Sequence, residues 1–118
     1  MTMRAHPVDL AHLDRYTGGD RAINEEILGL FDSHCREMLE RLEGIASDPG
    51  AAKTWREVAH TLKGAARGIG AFPLADAAAE AEKAVPGDLG STLVALERIK
   101  GESVAVLTFI EEFLARGG

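Results

Sequence analysis

The chain has 118 residues, 46% of them hydrophobic and 27% charged, with a formal net charge of −6. It is long enough for one buried core and one domain, and its acidity argues against general nucleic-acid binding by long-range attraction. Its single cysteine, Cys35, excludes an internal disulfide, no apolar run reaches the roughly 18 residues of a membrane span, and the opening MTMRAHPVDL lacks a signal-peptide core. A cytoplasmic protein with no membrane role is the default expectation, whether as a complete small protein or an excised domain.

Residues 1–7 read as a flexible leader ending in Pro7, and residues 8–116 as the folded domain. In 8–16, VDLAHLDRY, the residues Val8, Leu10, Leu13 and Tyr16 recur at mostly helical spacing, and Asp9 can cap the start. So short a helix does not stand alone, and it is expected to lie across the end of something larger. Thr17-Gly18-Gly19-Asp20 breaks it, and Asp20 can cap the next helix, predicted over 21–46. There Ile23, Ile27, Leu30 or Phe31, His34, Met38, Leu42 and Ile45 recur at three- and four-residue intervals as the inward face. Ser47-Asp48-Pro49-Gly50 is a turn.

The next helix begins between residues 50 and 55 and ends at Gly68 or Gly70, either of which can supply a left-handed cap. At about 100° per residue, residues 54–72 separate into two faces. Trp55, Val58, Leu62, Ala65, Ala66 and Ile69 share one side; His60, Lys63, Gly64 and Arg67 share the other. Gly64 stands out, because glycine inside a helix costs roughly 1 kcal/mol relative to alanine. Phe72-Pro73 then opens a short helix, PLADAAAEAEKA, with Leu74 and alanines 75, 78, 79 and 81 available for close inward contacts and Glu80 and Lys83 outward. After Pro86-Gly87-Asp88, residues 89–115 carry Leu89, Leu93, Leu96, Ile99, Val106, Leu107, Ile110 and Phe113 or Leu114. They form one long helix or two interrupted near Gly101, capped by Ser91 or Asp88. No strand pattern or phosphate-binding glycine signature occurs. The short connections predict an all-α, antiparallel up-and-down four-helix bundle with an added short N-terminal helix.

A neutral imidazole has a ring nitrogen with a free lone pair, able to attack phosphorus. Lys63, one turn from His60, can stabilise the phosphoryl charge. Arg67 is a second candidate for phosphate or partner contact, and Gly64 clears space for a partner. Each residue also has an ordinary reading: a surface histidine, a solvated cation, a glycine that eases packing. A hydrolase triad is poorly supported, since no serine or acid is placed beside His60 by sequence. His34 and Cys35 are adjacent and point apart on a helix, and His6, His12, His34 and His60 lack metal-ligand spacing. His34 is expected to pack partly against the bundle.

The run His60-Thr61-Leu62-Lys63-Gly64-Ala65-Ala66, followed by Gly70-Ala71, resembles the HxLKG signature of the histidine-containing phosphotransfer (HPt) family. Phe31 and Leu39-Glu40-Arg41-Leu42 resemble that family's preceding helix, and Glu82 matches an acid often found in its following one; the resemblance covers about residues 8–115. It implies a phosphorelay carrier rather than an enzyme, passing a phosphoryl group between aspartates of response-regulator receiver domains. His60 would be the phosphoacceptor, Lys63 the phosphoryl stabiliser, Gly64 the docking position and Gly70 a structural glycine. No intrinsic cofactor is implied; Mg²⁺ is expected on the partner receiver. Apolar surface on the first two helices, including Leu10, Leu13, Ile23 or Ile27, is a candidate docking face, with core packing as the alternative. Arg67 and Ala81 depart from the family's usual residues. Competing readings are a receiver-binding adaptor that carries no phosphate, a module loaded directly by a histidine kinase and, more weakly, a metal-binding bundle.

Overall fold

Aspartates start most of the helices. The structure, a computed structural model, describes residues 6–116, with Leu89 by its backbone alone. Asp9, Asp20 and Asp88 accept backbone N–H groups at the heads of α1 (Leu10–Thr17), α2 (Arg21–Ile45) and α5 (Leu89–Ala115), satisfying donors that a helix start leaves orphaned. Of the two caps open for the last helix, Asp88 is the one used. The predicted turn at 47–50 tightens into a 3₁₀ turn, Pro49–Ala51, from which α3 (Ala52–Gly68) grows without a side-chain cap. Pro73 lies in the first turn of α4 (Phe72–Ala81), where its missing N–H costs nothing. Helix α4 stops at Ala81, short of the predicted 84, while α5 runs unbroken through Gly101. Most of the leader, residues 1–5, and the inward placement of Leu89 lie outside the described residues.

Helices α2–α5 form the expected antiparallel four-helix bundle, with α1 as the added N-terminal helix. No helix among the described residues is long and apolar enough to cross a membrane. The seam of α2 is Asn24, Leu28, Phe31, Cys35, Met38 and Leu42, one residue out of step with the expected seam in its first half. Ile23 and Leu30 are exposed and Ile27 is half-buried. His34 is exposed and its neighbour Cys35 is fully buried, which corrects the expected packing of His34. A polar residue hid the register: Asn24 is buried because it joins two helices. Its Nδ2 donates to Asp14 Oδ1 at 2.8 Å, and its Oδ1 accepts from Thr17 Oγ1 at 2.6 Å. Helix α5 misleads similarly. Thr92 and Ser103 are buried and Leu93 is exposed, because Thr92 bonds its own helix at Asp88 O and Ser103 faces Cys35.

Small side chains set the position of α3. Ala75, Ala77, Ala78 and Ala81 of α4 are buried, with Ala79 half-buried, so α4 offers little bulk and α3 can approach closely. Trp55 fills the space at one end, fully buried, and its indole N–H donates to Ala81 O at 2.7 Å. A larger residue at 81 would compete with that ring. At the other end, Gly70 closes α3 in a Schellman arrangement: Ala71 N–H bonds Ala66 O, and Gly70 N–H bonds Arg67 O. Gly70 has φ +81°, and a Cβ there would lie 2.5 Å from Asp9 O. Its own carbonyl accepts from Asp9 N at 2.9 Å. Gly70, not Gly68, is therefore the left-handed cap, and it ties the head of α1 to the end of α3.

Candidate functional site

Helix α3 buries Trp55, Val58, Ala59, Leu62 and Ala66 against its neighbours, which turns His60, Thr61, Gly64 and Arg67 to solvent. Ala65, read from sequence as inward, is half-buried. The His60 side chain is 69% exposed. Fixing it on a long, well-packed helix gives a mobile side chain a rigid base, as a group that must meet an outside reactant requires. Cys35 is elsewhere, in the core. Burial pushes its thiol pKa up, against a smaller opposite effect of Ser103, so it is a poor nucleophile.

Glu82, directly after α4, lies beside both His60 and Lys63. Its Oε1 is 2.6 Å from Lys63 Nζ and 3.4 Å from His60 Nδ1. This oxygen is sealed from solvent, with the Lys63 ammonium as its close counter-charge. The nearby Lys63 ammonium is the largest cause holding the Glu82 carboxyl below its ordinary pKa; burial opposes it, and His60 adds a smaller lowering. A carboxylate beside Nδ1 favours the ring proton on that nitrogen, which leaves the lone pair on Nε2, away from Glu82. Lys63 has only 19% of its side chain exposed. It is not the freely solvated cation that sequence alone suggests: it leans across to α4 and shares one carboxylate oxygen with the histidine.

Gly64 lies one turn beyond His60, and a Cβ added there would meet nothing within 4 Å. Internal packing therefore does not require glycine at this position. The same is true of Gly29, Gly44 and Gly101; Gly64 differs in sharing a helix face with His60 and Lys63. Arg67 is exposed one turn further on and does not join the Glu82 cluster. On the other side of His60 an open concavity is lined by Lys53, Arg56, Glu57, His60, Thr61 and Glu82. Among the described residues no group of three or more His, Cys, Asp or Glu side chains could hold a metal ion.

The structure thus brings His60, Lys63 and Gly64 together, leaves Arg67 at the margin, and puts Gly70 at the helix end in a purely structural position. Sequence reasoning gave Glu82 no role. Helical periodicity relates residues of one helix, whereas Glu82 reaches the site from another; the family resemblance was its one pointer.

Comparison with known proteins agrees with this fold. The family model described as the Hpt domain matches residues 26–115. No curated protein matches the chain. Among solved structures, the chain is similar to histidine-containing phosphotransfer protein B (HptB) from Pseudomonas aeruginosa PAO1. The TM-score is 0.79 and the identity 23%, over 96% of this chain and 98% of that one, a likeness of fold.

Proposed function

This chain belongs to the Hpt domain family, and from that premise we propose that it is a phosphorelay intermediate, accepting a phosphoryl group on His60 from a receiver-domain aspartate and passing it to another. The carrier module spans residues 8–116 and works in the cytoplasm. The observation that carries this reading is the shared Glu82 oxygen, 2.6 Å from Lys63 Nζ and 3.4 Å from Nδ1 of the exposed His60.

In the forward step Nε2 of His60 attacks the phosphorus of an aspartyl phosphate in line. The P–N bond forms as the O–P bond breaks, and the partner's aspartate leaves as a carboxylate. The proton on Nδ1 stays toward Glu82, which stabilises the positive charge developing on the ring. Lys63, one helical turn from His60, divides its ammonium between the incoming oxygens and Glu82. The partner supplies the Mg²⁺ and the remaining charge stabilisation, so the protein is a covalent carrier rather than an enzyme. Gly64 gives the partner clearance, and the exposed Ile23 and Leu30 with the half-buried Ile27 on α2 offer it apolar area; Leu13, a core residue, does not.

The test is incubation with a labelled phospho-receiver. An acid-labile, base-stable phosphoprotein should form with the native chain and be absent from His60→Gln. Equal labelling of that variant would sink the assignment. Receiver binding with no label in either protein would instead identify an adaptor.

A further inference from the structure

Helix α3 carries four of the chain's 13 basic residues, Lys53, Arg56, Lys63 and Arg67, and one of its 19 acidic ones, Glu57. The helix is therefore formally +3, and because the whole chain is −6, the remainder carries −9. Two of these cations are engaged: Lys63 with Glu82 at 2.6 Å and Lys53 with Glu57 at 4.0 Å. Arg56 and Arg67 are exposed and form no salt bridge among the described residues. They bracket His60 along the helix, about 6 Å before it and about 10 Å after it at 1.5 Å per residue. Arg56 shares the concavity beside His60.

We propose that Arg56 and Arg67 are specificity-determining docking residues that read carboxylates on the rim of the partner's phosphoaspartyl site, so that acidic-rimmed receivers are preferred donors and acceptors. This rests on the carrier reading for its class of partner. Guanidinium groups suit the task because their planar fork engages a carboxylate through two parallel hydrogen bonds. Lying on opposite sides of His60, the pair grips a surface around the reacting atoms rather than the phosphoryl group itself. A nucleic acid fits poorly: the basic strip is one helix long, Glu57 interrupts it, and the other faces repel a polyanion. Charge of this kind acts mainly on encounter, raising the association rate and discriminating among partners.

The experiment uses the full chain and a panel of purified receiver domains whose rims range from acidic to basic, each phosphorylated with labelled phosphate. The second-order transfer rate constant should rise with rim acidity. Arg56→Glu/Arg67→Glu should lower it about tenfold for acidic rims at low salt and raise it for basic ones. Arg56→Gln/Arg67→Gln, which puts no adverse charge in the last turn of α3, should give an intermediate loss. Arg98→Glu, on the exposed surface of α5, should behave as the native protein. Rates independent of rim charge, equal losses across the panel, or losses confined to the rate at saturating receiver would overturn the proposal. So would a single-stranded oligonucleotide that displaces the receivers. Calorimetric titration with the same receivers, unphosphorylated, separates the two readings. Affinity that follows rim charge without any transfer keeps the docking role and overturns the carrier; transfer indifferent to rim charge does the reverse.

Discussion

Glu82 faces the Lys63 ammonium and the His60 ring with one sealed oxygen, and much of the site's behaviour follows from that residue. Lys63→Ala should slow transfer to His60 by about tenfold or more in single-turnover measurements, the scale of losing one charge-stabilising donor. It also leaves the buried Glu82 oxygen without its counter-charge, so the variant should lose about 1 kcal/mol of stability in urea while remaining a folded bundle. Removing Glu82 as well should restore part of that stability and none of the rate, a split that a purely structural lysine would not produce. The sign of the pH effect follows from the same contact. The folded-state pKa of Glu82 is held below its ordinary value of 4.5, chiefly by Lys63. Its contribution to stability is therefore complete above pH 4.5 and is lost as pH falls through the lower folded-state value. Urea midpoints recorded downward from pH 4.5 should fall less steeply in Glu82→Gln than in the native chain.

At the scale of the element, α3 carries an apparent mistake in a helix that is otherwise well made. A Cβ at Gly64 meets nothing within 4 Å, so Gly64→Ala should stabilise the free protein by about 0.5–1 kcal/mol through helix propensity. Gly64→Gln should leave the fold intact and weaken receiver association by bulk alone. Stability and docking moving in opposite directions would mark a glycine kept for a partner. A glycine kept for packing would lower stability in both variants. Gly70 is the contrast: its positive φ and its closeness to Asp9 O make it an internal necessity. The sequence showed both glycines, but the distinction between them needs the neighbours of each.

At the scale of the whole molecule, α1 is joined to the bundle by few polar contacts. One set runs through Asn24 to Asp14 and Thr17, another through Asp9 to Gly70. Asn24→Ala removes both bonds of the first set and should cost about 1–2 kcal/mol. Amides of α1 should then exchange faster with deuterated solvent, with those of α3 and α5 remaining protected. Uniform acceleration throughout would mean that α1 is integral to the cooperative unit rather than docked upon it.

The sequence by itself determined the all-α class, the order and approximate limits of the helices, two of the aspartate caps outright, and the face of α3 that carries His60, Lys63 and Gly64. These depend on contacts within a few residues of chain, where a 3.6-residue period and cap chemistry act directly. Tertiary structure decided the register of α2 and the inward side of α5. Asn24, Thr92 and Ser103 are buried because each meets its polar needs there, so hydrophobicity alone pointed to Ile23 and Leu93 instead and left Leu30 and Phe31 undecided. Tertiary structure also joined Glu82 to His60 and Lys63. No periodicity within one helix encodes an oxygen contributed by another; that contact exists because the alanines of α4 let the two helices lie close together.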